Sequence, residues 1–218
     1  MKTENFSKTK IKICGLRRRE DILAVNEANP DYCGFIVEFP KSFRSVTADE
    51  VRELVKNLSP EIQPVGVFVN ASMELVRSLL DDGTLAMAQL HGQENESYIA
   101  ELKAHTDKLK TMTDQLLIKA FSIKTADDME NSLQSPADYI LLDQGSGGTG
   151  KTFDWSLIPK IERPFFLAGG IGEENLEQAL REIHPFAVDL SSSVETEKWK
   201  DPEKIRRVVD IVRNAVQD

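Results

Sequence analysis

A short apolar run followed by an amphipathic stretch recurs along the whole chain. The apolar runs are Lys10–Cys14, Tyr32–Val37, Pro64–Val69, Leu85–His91, Leu116–Phe121, Ala137–Asp143, Phe165–Ala168 and Ala187–Leu190. They begin roughly 20–33 residues apart, which is room for one strand and one crossover helix each. Interiors such as Tyr139-Ile140-Leu141-Leu142 are continuously apolar, the pattern of parallel strands covered by helices. Between the runs, Thr47-Ala48-Asp49-Glu50 has the form of a capping box, and Val51, Leu54, Val55 and Leu58 follow as one helical stripe. Leu75, Val76, Leu79 and Leu80 repeat that spacing, as do Leu176, Ala179, Leu180 and Ile183. A last helix, with Ile205, Val208, Val209, Val212 and Val216 on one face, starts after Asp201-Pro202. Two crossovers are weaker: Lys103–Asp114 is polar, and Phe153–Ile161 is interrupted by Pro159. Eight βα units without a linker predict one (βα)8 TIM barrel of eight parallel strands over residues 10–218, after a short tail over 1–9. An open doubly wound sheet shares this periodicity and is the alternative.

Composition narrows the function classes. The chain has 218 residues, of which 40% are hydrophobic and 29% charged, so a packed core needs no disulfide or metal. A formal charge of −9 argues against general nucleic-acid binding, although backbone amides can still build a local anion site. No apolar run approaches the roughly 20 residues that span a bilayer, and Met1–Ser7 lacks the apolar core of a signal peptide. Two cysteines form no disulfide framework. A cytoplasmic protein with no membrane or nucleic-acid partner is expected. The three histidines are scattered without ligand spacing, so no metal site is expected either.

In such a barrel, chemistry gathers at the C-terminal ends of the strands. There the sequence places Cys14-Gly15, Lys41–Arg44, Asn70, Gln89–Gly92, Asp143, Ala168–Gly170 and Asp189–Ser193. Gly169-Gly170 and Ser191-Ser192-Ser193 follow the seventh and eighth runs, where amides and hydroxyls can cradle a phosphate. The plain alternative is a glycine turn and a serine-rich loop. Cys14 reads either as a small hydrophobe or, presented before Gly15, as a base that must ionise. No cation is obliged to lie beside it, although Lys12 and Arg17 are near in the chain. Cys33, early in the second run, reads as packing. Asp143 and Asp189 are carboxylates at strand ends, each able to react or merely to brace a loop. Arg44 suits a bidentate clamp on a carboxylate or phosphate, or a solvated loop charge. His91 reads as a core or hydrogen-bonded residue, and His105 and His184 as surface or helix-end residues.

The segment Gly145-Ser146-Gly147-Gly148-Thr149-Gly150-Lys151-Thr152 matches the G-x-x-x-x-G-K-[ST] phosphate-loop pattern. That motif requires a solid helix directly behind it. Pro159 forbids one within about two turns, so nucleotide hydrolysis is not the expectation.

From Lys10 to the last helix the chain resembles the phosphoribosylanthranilate isomerases of tryptophan biosynthesis. The likeness rests on Lys12–Leu16, Gly34-Phe35-Ile36 with Lys41–Arg44, Val65–Asn70, Gln89–Gly92, Leu142-Asp143, Gly147–Gly150 with Phe153–Trp155, Ala168–Gly170 and Val188–Ser192, in that order. The resemblance implies a (βα)8 barrel without metal or organic cofactor, acting on a small phosphoribosyl substrate as a monomer or homodimer. The reaction implied is an Amadori rearrangement of N-(5′-phosphoribosyl)anthranilate to 1-(2-carboxyphenylamino)-1-deoxyribulose 5-phosphate. It also implies that Cys14 is the general base and Asp143 the general acid. On the same resemblance, Arg44 is expected to hold the anthranilate carboxylate, and His91, Gly169, Gly170, Asp189, Ser191 and Ser192 are expected to bind substrate. Ser193 and Thr196–Asp201 depart from the family pattern by lacking glycines, so strain is expected at Ser193 if its φ is positive. Glu38 is expected to set a carboxylate near the entrance. Two alternatives are another sugar-phosphate isomerase barrel and a non-catalytic barrel binding a phosphoribosyl ligand. Cysteine rather than aspartate at position 14 disfavours the two-aspartate isomerases of histidine synthesis.

Overall fold

The computed structural model describes residues 8–109, 116–144 and 154–215. Eight parallel strands form a closed ring: β1 (Lys10–Cys14), β2 (Tyr32–Val37), β3 (Gln63–Phe68), β4 (Met87–Leu90), β5 (Leu116–Ser122), β6 (Tyr139–Asp143), β7 (Phe165–Leu167) and β8 (Ala187–Leu190). Each pairs with its neighbours in sequence, and β1 also pairs with β8 through Lys10↔Ala187 to Ile13↔Leu190. That last pairing rules out the open sheet.

Strand alternation gives the barrel two different buried faces. Ile11, Ile13, Cys33, Phe35, Ala88, Leu90, Ile140, Leu142, Val188 and Leu190 point outward into the core beneath the helices. Cys33 is thus a packing residue. Tyr32, Val65, Met87, Ile118, Leu141, Phe166 and Ala187 fill the interior as a second cluster. With both faces covered, the strands read as unbroken apolar runs. The exceptions on the inner face are polar side chains toward the C-terminal ends of the strands, among them Lys12, Cys14, Gln89, Asp143 and Asp189.

Seven helices follow the strands among the described residues: α1 (Arg19–Ala28), α2 (Ala48–Val55), α3 (Met73–Asp81), α4 (Glu96–Leu109), α5 (Ala126–Leu133), α6 (Leu176–Ile183) and, after β8, α7 (Pro202–Asn214). The capping box at α2 forms as its residue types require, with Thr47 Oγ1 accepting from the Glu50 amide and the Glu50 carboxylate from the Thr47 amide. Asp201 caps α7 ahead of Pro202. The polar crossover is helical as far as Leu109, and residues 110–115 lie outside the described residues. Between β6 and β7 the described chain makes only a 3-10 turn at Trp155–Leu157 before Pro159. Of the expected tail, residues 1–7 lie outside the described residues. Thr9 is buried, and its hydroxyl donates to the Pro185 carbonyl.

Two of the expected departures resolve differently. Ser193 sits in a 3-10 turn (Ser192–Val194) and is not at positive φ, so no strain arises there. The strain falls instead on the next turn, where a hairpin of Glu195–Thr196 and Trp199–Lys200 is closed by Glu197 (φ 51°) and Lys198 (φ 67°). Two-residue hairpin loops need positive φ, which costs a side chain about 1–2 kcal/mol. Lys198→Gly is therefore expected to stabilise the protein by about 1 kcal/mol, read as a higher urea midpoint at unchanged slope. A lower midpoint would mean that the Lys198 ammonium, 5.4 Å from the Phe43 ring, contributes more than the strain removes. Glu38 does not guard the entrance: its carboxylate accepts from the Ala48 amide at the N-terminus of α2, and it does not line the cavity.

Candidate active site

The C-terminal ends of the strands surround a cavity of about 790 Å³. All nine candidate residues line it: Cys14, Arg44, His91, Asp143, Gly169, Gly170, Asp189, Ser191 and Ser192. Residues 145–153, which include the phosphate-loop match, lie outside the described residues. Among the described residues no group of three or more His, Cys, Asp or Glu is placed to hold a metal, and no helix is long and apolar enough to cross a membrane.

Cys14 is the last residue of β1, an unpaired thiol only 7% exposed. Burial pushes its pKa up, and the nearby Lys12 and Lys200 ammonium groups pull against that shift. Asp143 is the last residue of β6, three strands away around the ring. His91 Nε2 lies 3.4 Å from Asp143 Oδ2, and the Gln89 amide lies 3.1 Å from His91 Nδ1. A pocket acid, a histidine and an amide thus form one chain. Gly169 allows that acid its place: at φ 79° it is in the left-handed region, and a Cβ there would lie 2.5 Å from Asp143 Oδ1. Gly170 is also left-handed (φ 70°), and the Asn175 side chain braces the turn by bonding the Gly170 carbonyl and the Gly172 amide.

Several candidate side chains are already engaged by partners inside the protein. Arg44 presents its fork to Glu195, with Nε to Oε1 and Nη2 to Oε2 both at 2.7 Å. Asp189 accepts from Lys12 Nζ on both oxygens, at 3.0 and 2.9 Å. The Ser191 hydroxyl donates to the Cys14 carbonyl, which ties the eighth loop to the strand that carries the thiol. Lys200, buried, donates to the Ser191 carbonyl and to Glu195. Burial works against the Glu195 carboxylate, but bonds from Arg44 and Lys200 hold its pKa below the usual range. At the rim, the Arg17 guanidinium sits 3.7 Å from the Trp199 ring centroid and donates to the Phe43 and Lys198 carbonyls. Arg17 therefore joins the first, second and eighth loops.

Lys12, Glu195 and Lys200 were not among the sequence candidates. For Lys12 a signal existed, a lysine inside an apolar run two positions before Cys14. For Glu195 and Lys200 none did, because loop charges acquire meaning only through their partners.

The family of N-(5'-phosphoribosyl)anthranilate (PRA) isomerases matches residues 11–211. The N-(5'-phosphoribosyl)anthranilate isomerase of Endomicrobium trichonymphae is 42% identical over 209 residues, covering 94% of this chain and 98% of the relative. The crystal structure of phosphoribosyl anthranilate isomerase from Thermotoga maritima superposes with a TM-score of 0.81 at 35% identity, over 94% of this chain and 98% of that one. Another crystal structure of a phosphoribosyl anthranilate isomerase, in complex with reduced 1-(o-carboxyphenylamino)-1-deoxyribulose 5-phosphate, superposes at 0.80 with 33% identity, over 94% and 98% of the two chains. With the match running over nearly the whole barrel, the chain belongs to the N-(5'-phosphoribosyl)anthranilate isomerase family and is an isomerase of tryptophan biosynthesis.

Proposed function

We propose that Asp143 is the general acid and Cys14 the general base of the Amadori rearrangement in this chain. Asp143 protonates the furanose ring oxygen, and the ring opens to a Schiff base. Cys14, as thiolate, removes the C2′ proton to give an enolamine, which tautomerises to the ketone. The oxidation change is internal, C1′ being reduced as C2′ is oxidised, so the reaction calls for no external oxidant or cofactor. The observation that carries this reading is the placement of thiol and carboxylate at the ends of β1 and β6, on one cavity.

The rest of the cavity suits the substrate's anionic ends. Left-handed Gly169 and Gly170, with Ser191 and Ser192, offer amides to the phosphate, and Ser192 adds a hydroxyl. Arg44, braced by Glu195, faces the anthranilate carboxylate. Anchoring both ends fixes the ribose between acid and base. The related structure with a reduced product analogue supports a ligand of this class. The enzyme acts as a monomer or a homodimer, the relative from Thermotoga maritima being dimeric. Two unpaired thiols, Cys14 and Cys33, suit the cytoplasm.

The test is a steady-state assay on phosphoribosylanthranilate generated in situ, following loss of its fluorescence. Wild type is expected to turn over, and Cys14→Ala to lose about 10²–10⁴-fold in kcat. A Cys14→Ala variant as fast as wild type would remove the base assignment.

A further inference from the structure

The reaction described above leaves one charge at the centre of the barrel without a role. Lys12 is fully buried, and alternation along β1 sets it on the same inward face as Cys14, two residues on. Its ammonium bonds both oxygens of Asp189, the residue opposite it in the β1–β8 register. Gly34 stands opposite Cys14 on β2. A Cβ on Gly34 would lie 2.8 Å from Cys14 Sγ and 3.1 Å from Lys12 Nζ, so sulfur and ammonium border one gap that only glycine leaves open.

We propose that Lys12 is a positioning residue for the reaction: anchored by Asp189, its ammonium is the counter-ion of the Cys14 thiolate. The inference rests on the reading of Cys14 as the base. A buried thiol resists ionisation unless a positive charge compensates it. Three charged neighbours act on the sulfur directly. Lys12 on β1 and Lys200 on the hairpin favour the thiolate, while Asp189 on β8 opposes it. Cys33 lies behind on β2, and His91 and Asp143 face Asp189 from across the mouth. Lys12 is the largest of the favourable influences. Burial disfavours its own charge, but Asp189 keeps its pKa above the ordinary lysine value, so it remains an ammonium through neutral pH.

The sign follows for two variants. Lys12→Met removes the counter-ion and should move thiol ionisation to higher pH. Asp189→Asn removes the opposing carboxylate and leaves the ammonium to the sulfur, so ionisation should move to lower pH. Opposite shifts are what a purely structural role for the pair would not produce. The experiment measures iodoacetamide alkylation of Cys14 against pH in the full-length protein, with the modified site located by mass spectrometry; fully buried Cys33 serves as the internal reference. Lys12→Met is expected to raise the midpoint by one unit or more and to move the limb of kcat/KM that follows thiol ionisation by the same amount. Asp189→Asn is expected to lower the midpoint and speed alkylation at pH 7 several-fold. A folded Lys12→Met with an unmoved midpoint overturns the proposal. Should Lys12→Met not fold, an Asp189→Asn midpoint at or above wild type overturns it instead. If Cys14→Ala keeps its turnover, the base assignment falls while the thiol titration still reports on Lys12, so the two failures are distinguishable.

Discussion

Asp143→Asn is expected to lower kcat by about 10²–10⁴-fold while KM stays within a few-fold of wild type. The amide has the shape of the carboxyl group and leaves the tight approach of Gly169 undisturbed. Its side-chain oxygen can take the place of Oδ2, 3.4 Å from His91 Nε2. What it lacks is an acidic proton for the ring oxygen. Binding energy from the two anionic ends of the substrate does not depend on that proton, so the loss should fall on kcat and kcat/KM alike. Steady-state rates across substrate concentrations check this split. An Asp143→Asn enzyme retaining a third of wild-type kcat would place the acid elsewhere.

Lys119→Met should destabilise the fold by about 3–5 kcal/mol, the range for orphaning one member of a buried ion pair. Lys119 rises from the outward face of β5, and its ammonium bonds the Gly92 carbonyl at 2.7 Å and Glu94 Oε2 at 2.8 Å. The side chains are 6% and 1% exposed. Glu94 in turn accepts from the amides of Asn70 and Gly92, holding the loop that carries His91 against the end of β3. Burial raises the Glu94 pKa, but the Lys119 ammonium and the Asn70 amide outweigh it and leave it below the ordinary value. A depressed native pKa means that the stabilisation is full above the unfolded value of about 4.3 and fades as pH falls through the native one. In Lys119→Met the carboxylate is costly to bury, whereas the neutral acid is not. The gap between the two urea midpoints should therefore be widest near pH 7 and shrink toward pH 4. A gap constant across that range would assign the loss to packing of the lysine stem instead.

The strands were legible because each is buried on both faces, which turns it into an apolar run with sharp ends. Lys10–Cys14, Tyr32–Val37 and Ala187–Leu190 have the expected bounds, and the other five shift by a residue or two at one end or both. The mouth was legible for a related reason: once eight units make a barrel, the polar residue after each run has only one place to go. Pairings inside the mouth were not legible. Arg44 and Glu195 are 151 residues apart, and nothing local marks the arginine as engaged by a protein carboxylate. Glu38 shows the same gap on a shorter scale. Its carboxylate looked like an obstacle to an anion until α2 supplied an amide for it. The condition set for strain at Ser193, a positive φ, is not met because a 3-10 turn takes the bend there, whereas the Thr196–Asp201 stretch, also lacking a glycine, holds Glu197 and Lys198 at positive φ.

The Lys12–Asp189 pair joins residues 177 positions apart, on the first and last strands of the ring. A chain made from its N-terminus exposes β1 long before β8 exists. Until then Lys12 has no carboxylate to meet, and an ammonium sealed unpaired inside the barrel costs several kcal/mol. A fragment that stops short of residue 187 leaves the Lys12 ammonium without its carboxylate partner. Pairing of Lys12 and closure of the ring therefore both wait on β8.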